Sequence, residues 1–472
     1  MKSLIAFILL LATTLTLAQP PDTLWTRTYG GSGSDGAYSV QQTSDGEYIL
    51  AGWTDSFGAG EHDFYLVKTN SQGDTLWTRT YGGGAIDVAQ SVELTMDGGY
   101  IMAGYTDSFG AGSSDFYLIK TNNQGDTLWT RTYGGSGSDY AHSVQQTVDG
   151  GYIMAGYTYS FGAGDNDYYL VKINSQGDTL WSHTYGGSGS ERAYSVQQTT
   201  DGGYIVAGYG FYLVKTNASG DTLWTRHYGF AADWSFSVQQ TADGGFIVGG
   251  LTESLSGGEN DLYLVKTNSQ GDTIWTRTYG GSDDDGAYSV RQTADGGYII
   301  GGATWSFGAG QCDFYLVRTN SLGDTLWMST YGGTGLESAY SVQQTADGGY
   351  ILAGFTYALG SNYGDFYLVK LGAESSVPPI SLSLPQHYSL HPNYPNPFNP
   401  STRIAYDLPS PSPVTLEVFD LLGRSVFSLA KGTHSAGSYS ILFDGSALPS
   451  GLYFYRLQAG TFTQTQKMIL LK

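Results

Sequence analysis

Seven carboxylates stand ahead of the same strand-like run in successive stretches of the chain: Asp35, Asp87, Asp139, Glu191, Asp233, Asp285 and Glu337. A ring of seven acids has the charge to hold cations. A residue that returns in every repeat, however, more often builds the repeat, as a turn carboxylate accepting backbone N–H groups. Some of these acids are also placed to pair with Arg27, Arg79, Arg131, Arg226 or Arg277. The loop Thr106–Gly112, with Asp107, has the look of a calcium loop. Its acidic position becomes Tyr159, Glu253, Trp305 and Tyr357 elsewhere, and calcium needs about six to eight oxygen ligands. Calcium is therefore disfavoured, and no other cofactor is expected.

Other apparent motifs dissolve on inspection. Gly31–Gly36 reads G-x-G-x-x-G but lacks the following helix and the βαβ setting that give that motif meaning. The histidines His62, His142, His183, His227, His387, His391 and His434 share no repeated position and no metal-ligand spacing. No Ser/His/Asp or Cys/His set is evident. Cys312 is the single cysteine, so no intramolecular disulfide is possible, and its position is His62, Ser114 or Asn166 in other repeats. The abundant Tyr, Trp and Phe residues are suited to stacking on sugars, but packing between elements accounts for most of them.

What positions these residues is a repeat. Gly73–Gly83 returns letter for letter at Gly125–Gly135, and its tryptophan recurs at Trp25, Trp77, Trp129, Trp181, Trp224, Trp275 and Trp327. A period of about 52 residues is the mark of a repeat architecture. Each repeat holds four strand-like runs, exemplified by Tyr100–Thr106, Asp115–Lys120, Thr127–Tyr133 and Ser143–Thr147, and none has helical periodicity. Turns such as Asn122–Asp126 are rich in residues that tolerate positive φ. Seven such units predict an all-β fold, a seven-bladed β-propeller of four-stranded blades. The alternative is a β-solenoid, disfavoured because the repeat is long and runs as a meander.

The Ala-Gly pairs (Ala51–Gly52, Ala103–Gly104, Ala155–Gly156, Ala207–Gly208) are expected on the strand nearest the axis, where only small side chains fit. Phe64, Trp77 and Tyr81 are expected between blades. The first run, Asp22–Tyr29, and the last, Asp365–Leu371, are each part of a blade, so closure should join them and remove an exposed edge. The two long loops of each repeat fall on one face and the two short turns on the other.

Composition agrees. The 472 residues include 68 Gly and 38 Tyr, only 13% are charged, and the net charge is −21. That field repels phosphate backbones, so nucleic acid is not an expected partner. Met1–Ser3 followed by an apolar run from Leu4 to Leu17 and by Ala18 reads as a Sec signal peptide over 1–18, cut after Ala18.

Residues 373–392 shift to Ser, Pro and Leu and read as a linker. Then come Asn393–Thr402, with Pro395, Asn396, Pro397 and Phe398; Ile404–Pro409; Val414–Arg424; Leu448–Leu457, with Gly451 and Tyr453; and Lys467–Lys472. The alternation of Val414, Leu416 and Val418, and of Tyr453 and Tyr455, reads as a two-layer β domain. These motifs resemble the type A C-terminal sorting domain of type IX secretion, itself similar to the Ig-like domain of flagellar hook-assembly proteins. The resemblance implies a small Ig-like β-sandwich over 393–472 that partners the outer-membrane translocon of Bacteroidota-like bacteria. It also implies cargo attached to the cell surface or released, often after the domain is cleaved. Residues 22–371 resemble the secreted Gly-Gly-Tyr-type propellers joined to such domains, which imply no defined activity. The Asp-Thr-Leu runs, as at Asp74–Leu76 and Asp126–Leu128, resemble an O-glycosylation acceptor of such bacteria, though a turn entering a strand explains them equally.

Uniform blades without a catalytic set point to a non-enzymatic protein that binds an extracellular glycan or protein. A carbohydrate-active hydrolase or lyase with its site on the long-loop face is the alternative. Repeat four breaks the symmetry: Tyr209–Gly210–Phe211 replaces a loop that in repeat three runs from Thr158 to Asp167. The other departures, His183, Glu191, Arg192, His227, Phe230 and Trp234, lie nearby in sequence and together outline a possible ligand notch.

Overall fold

The computed structural model describes residues 19–230, 232–255, 259–357, 363–374, 387–393, 396–434 and 437–471. The signal-peptide reading of 1–18, with its Sec partner, and the motif residues Pro395 and Lys472 lie outside them. The chain divides into two compact units, Met1–Ser375 and Ser376–Lys472.

The first unit is a ring of seven four-stranded antiparallel sheets. Blade one is Asp35–Gln42, Tyr48–Thr54, Asp63–Thr69 and Thr75–Tyr81. Blades two to six repeat that order over 87–133, 139–185, 193–227, 234–279 and 285–331. Blade seven takes Glu337–Gln344, Tyr350–Thr356 and Asp365–Leu371 from the end of the repeat region and Thr23–Tyr29 from its start. The register runs from Thr23 opposite Leu371 to Tyr29 opposite Phe366. Both chain ends thus close one blade, as expected, and the ring excludes the solenoid.

Local chemistry sets the strand ends. In the turn after Lys68, the Asn70 side chain accepts the N–H groups of Gln72 and Asp74, and Gly73 takes φ +80°. That conformation costs a residue with a Cβ about 1–2 kcal/mol. The core consists of seven apolar clusters, each shared by two neighbouring blades. Between blades one and two, Phe64 and Leu66 meet Val92, Tyr100, Met102 and Tyr117, with Trp77 and Tyr81 packed against them. A side chain buried as fully as Phe64 contributes about 1.5–3 kcal/mol.

Hydrogen bonds run round the whole ring. Each inner-strand serine accepts the N–H of the next blade's valine, from Ser39 and Val92 through to Ser341 and Val40, at 3.1–3.4 Å. At six of the seven junctions a glutamine accepts a turn N–H of the preceding blade, as Gln146 does from Met96, at 2.7–3.0 Å. Leu94 holds that position at the junction of blades one and two. Outer-strand tyrosines donate to the next blade's turn glycine at 2.5–2.7 Å, from Tyr29 to Gly73 through Tyr279 to Gly323.

The Ala-Gly pairs correct one expectation. The strands in mutual contact around the axis are those ending in Val-Gln-Gln and its variants, not the Ala-Gly strands. The Ala-Gly strands lie second. A Cβ on Gly104 would stand 1.9 Å from the Val88 carbonyl oxygen of the same blade's inner strand. Glycine is therefore demanded by a kink in the neighbouring strand, not by crowding at the axis.

The second unit is two sheets, a three-stranded one containing Ser401–Leu408 and a four-stranded one containing Ser412–Phe419 and Gly451–Ala459. Their inward residues, among them Ile404, Tyr406, Leu416, Val418, Tyr455 and Leu457, share one core. The strand Ser389–Leu390 already belongs to this unit and buries Leu390, so the unit begins ahead of 393.

Candidate functional site

The kink opposite each Ala-Gly pair is a β-bulge. Register skips one residue on every inner strand, at Tyr38, Gln90, His142, Tyr194, Phe236, Tyr288 and Tyr340. A bulge re-aims the extra side chain. Here the bulged residues meet one another around the axis. Ring centroids stand at 4.8–5.2 Å from His142 through Tyr194, Phe236, Tyr288 and Tyr340 to Tyr38. Gln90 interrupts this aromatic collar. The signal was present in the sequence, an aromatic residue just before Ser in six of seven repeats, but it carried no meaning until the inner strand was known. The same strands bring Glu93 and Arg291 to the position held by glutamine in the other five blades. Burial pushes the Glu93 carboxyl up to about 7, against the pull of Arg291. His142 is pushed down to about 4, chiefly by burial and then by the Arg192 charge, and its Nε2 is sealed without a hydrogen-bond partner.

The seven acids are loop anchors. Asp87 Oδ2 accepts the Gly83 N–H at 2.7 Å and the Ser108 hydroxyl at 2.7 Å. Asp35, Asp139 and Asp285 make the same pair of bonds. In blade seven Glu337 takes the Gly333 N–H and the Thr356 hydroxyl, at 3.0 and 2.8 Å. Asp233 takes the Phe230 N–H and the Ser254 hydroxyl. The G-x-G-x-x-G segment is thus a loop tied down by Asp35. The arginines do not pair with this ring. Arg27, Arg79, Arg226 and Arg277 meet Asp74, Asp126, Asp272 and Asp324 at 3.2–3.7 Å, the aspartates of the short turns on the opposite face. Asp107 accepts the Ser114 hydroxyl at 2.6 Å. Among the described residues no three His, Cys, Asp or Glu side chains converge as a metal site would need. Cys312 is buried, and burial raises its thiol to about 11, which keeps it protonated and unreactive.

Loss of the long loop in blade four leaves Gly210 and Phe211 to make the turn, with φ +73° and +47°. A phenylalanine in the left-handed region is strained backbone, held there by complete burial of its ring. Around this turn the structure assembles part of the expected set. Tyr209 meets Trp234 edge-on at 4.8 Å, Trp234 lies 5.8 Å from Tyr194, and Gly210 N–H donates to the Asp233 carbonyl. The Arg192 guanidinium sits 5.2 Å above the Tyr157 ring. Phe230 is exposed. Tyr194, Tyr157 and His142 join the group, and sequence spacing had not suggested any of them.

Two members are placed otherwise. His183 is on the outer strand of blade three, with Nε2 3.1 Å from the Ser219 carbonyl of the next short turn, and so faces away from the notch. His227 ends the outer strand of blade four beside the notch turn: it stacks on Tyr212 at 4.4 Å, and the N–H of the next residue, Tyr228, donates to the Phe211 carbonyl. Glu191 is a loop anchor, taking the Gly187 N–H at 3.2 Å.

In the second unit the sorting residues form one strap. Asn396 Oδ1 accepts the Ile469 N–H at 2.9 Å, and its side-chain amide donates to the Lys467 carbonyl. Pro397 follows a cis peptide bond. Phe398 is buried, and its backbone exchanges hydrogen bonds with Ile469 and Leu471. Gly451 opens the strand paired with that same last strand, and the Tyr453 hydroxyl donates to the Pro449 carbonyl at 2.8 Å. The first and last motifs of the domain are therefore one structural element.

A comparison with curated proteins finds no match. Among solved structures, the surface component PorZ of the type-IX secretion system of Porphyromonas gingivalis is similar with a TM-score of 0.43 at 13% identity, over 94% of this chain and 60% of that one. The Neurospora crassa Pan2 WD40 domain gives 0.49 at 9%, over 75% and 96%. A protein of unknown function from Bacteroides caccae gives 0.39 at 13%, over 60% and 94%. At such scores the blade count rests on strand register alone. Residues 393–471 match the family model of the secretion system C-terminal sorting domain. With its two sheets, shared core and strap of first motif to last strand, the second unit is a C-terminal sorting domain of type IX secretion, and the chain is cargo exported to the cell surface or the extracellular space.

Proposed function

We propose that the exported propeller is a non-catalytic binding module that engages an extracellular glycan or protein through its long-loop face at blade four. One observation carries this reading: the missing loop opens a notch in which Tyr209, Trp234, Tyr194 and the Arg192–Tyr157 stack lie together beside exposed Phe230. Aromatic rings with a single cation suit the faces of sugars and the side chains of proteins. The seven repeat carboxylates are committed to loop N–H groups and, in most blades, hydroxyls, as Asp87 is, which favours binding over hydrolysis or elimination by that ring.

The test is a panel of host and algal glycans and surface proteins presented to the full mature chain, read for binding and for turnover. Binding that falls about tenfold or more with Trp234→Ala or Arg192→Ala supports the notch. So does a similar loss when Thr158–Asp167 is grafted into blade four. Turnover abolished by substitution of one acid would overturn the reading in favour of an enzyme. Binding untouched by the graft would move the site elsewhere.

A further inference from the structure

The opposite, short-turn face carries a second recurring feature. At each junction the outer-strand tryptophan of one blade meets the first aromatic residue of the next blade's second strand. Trp129 and Tyr152 stand 6.1 Å apart at 67°, and Trp327 and Tyr350 stand 6.0 Å apart at 69°. At the junction of blades six and seven this groove is filled by the chain itself. One oxygen of Glu374, just past the last strand, accepts hydrogen bonds from Tyr350 hydroxyl at 2.6 Å, Arg318 Nε at 2.8 Å and Trp327 Nε1 at 3.2 Å. Trp327 is thereby almost wholly buried.

The groove between blades two and three is open. It is a cavity of about 600 Å³ lined by Lys120, Leu128, Trp129, Arg131, Gln146 and Tyr152, among others. Tyr152 is buried as a whole, but its hydroxyl and Trp129 Nε1 face the open groove, and among the described residues neither has a hydrogen-bond partner. Their counterparts are two of the three groups that hold Glu374 in the filled groove. The cations differ: the filled groove has Arg318 and, at the Arg131 position, Ser329, whereas this groove has Lys120 and Arg131. Lys120 stands where Arg318 stands and pairs with Asp97 at 2.9 Å. Arg131 lies 5.7 Å over Trp129 and donates to backbone carbonyls, with no carboxylate at ion-pair distance among the described residues. In four sister grooves the corresponding arginine is paired with an aspartate. Asp178 holds the turn position of those aspartates here but is not at ion-pair distance from Arg131, so the guanidinium keeps no direct carboxylate partner.

We propose that the groove between blades two and three binds the carboxylate of an acidic side chain on an extended peptide of a partner protein, as the seventh groove binds Glu374. A peptide fits better than an acidic sugar. Trp129 has Arg131 over one face and Tyr152 at an edge-on angle, so it offers a ring N–H and at most one face for a sugar to stack on. This inference concerns the face opposite the notch and does not depend on the function proposed there. The junction of blades four and five is an internal control, because Phe246 replaces the tyrosine and removes the hydroxyl.

The experiment is calorimetric titration of the full mature chain with a capped Leu-Gly-Ala-Glu-Ser-Ser peptide, the sequence around Glu374, and with its Gln counterpart. The Glu peptide should bind at least about tenfold tighter than the Gln peptide, the loss expected for one charge-assisted hydrogen bond. Trp129→Phe combined with Tyr152→Phe should remove one equivalent of bound peptide at unchanged thermal stability. Tyr152→Phe alone, which deletes one oxygen, should weaken that site and serves if the double variant does not fold. Equal affinity for the two peptides, or unchanged stoichiometry in the variants, would overturn the proposal. So would oligogalacturonate that binds in a Tyr152-dependent way while the peptide does not.

Discussion

His142 and Glu93 both stand on the innermost strands and are displaced in opposite directions, which sets up a pH experiment with a defined sign. His142 falls from 6.5 to about 4 in the folded state because burial and the nearby Arg192 disfavour its cation. Between those values the unfolded chain binds a proton that the native state refuses, so this histidine removes stability as pH falls from 6.5 towards 4. Glu93 rises from 4.5 to about 7 because burial disfavours its anion more than Arg291 favours it. Here the native state keeps a proton that the unfolded chain has released, so this carboxyl removes stability as pH rises from 4.5 towards 7. Each displacement has a ceiling of about 3 kcal/mol at 1.36 kcal/mol per pH unit. Over pH 4.5–6.5 the two slopes oppose and largely cancel. The variants come from the protein's own repeats: His142→Tyr, the residue at Tyr38, Tyr194, Tyr288 and Tyr340, and Glu93→Gln, the residue at Gln41 and Gln145. Thermal unfolding at pH 4.5, 5.5 and 6.5 should show the wild type nearly flat. His142→Tyr should lose about 2–4 °C on going up in pH, and Glu93→Gln should gain a similar amount. Turn acids such as Asp97, held at about 2 despite some burial by bonds from Thr95, Lys120 and Gly99, titrate below this window. If both variants track the wild type, His142 and Glu93 do not carry these displacements.

Gly104→Ala should cost about 2–4 kcal/mol through its 1.9 Å approach to the Val88 carbonyl, whereas Gly84→Ala, with no atom within 4 Å, should be neutral; equal melting temperatures would refute the bulge argument. Trimming the mature chain past Tyr29 should leave blade seven short of its outer strand and markedly lower its thermal stability, and an unchanged unfolding curve would contradict closure by both ends. Deleting 393–472 should leave a folded propeller held in the periplasm, so normal levels of the truncated protein in the medium or at the surface would rule out the sorting role.

Much of the architecture was legible in the sequence because it depends on period. Alternation of apolar and polar residues marks strands, Asn and Gly mark the turns, and a repeat of about 52 residues marks blades, so number, strand content and the pairing of Thr23–Tyr29 with Asp365–Leu371 all follow. The sorting motifs were legible for the same reason, being contiguous and in order. Radial position was not. The Ala-Gly strand and the Ser-Val-Gln strand are both small or apolar on the buried side, and nothing in a one-dimensional pattern says which lies nearer the axis. Only the assembled ring decided that, and with it the bulge, the aromatic collar and the opposition of Glu93 to Arg291. The notch lost His183 because residues close in sequence project to different sides of a blade. The filling of the seventh groove by Glu374 was equally invisible, since its partners Arg318, Trp327 and Tyr350 come from three strands of two blades. The chain order determined which residues repeat; closure of the ring determined which of them meet.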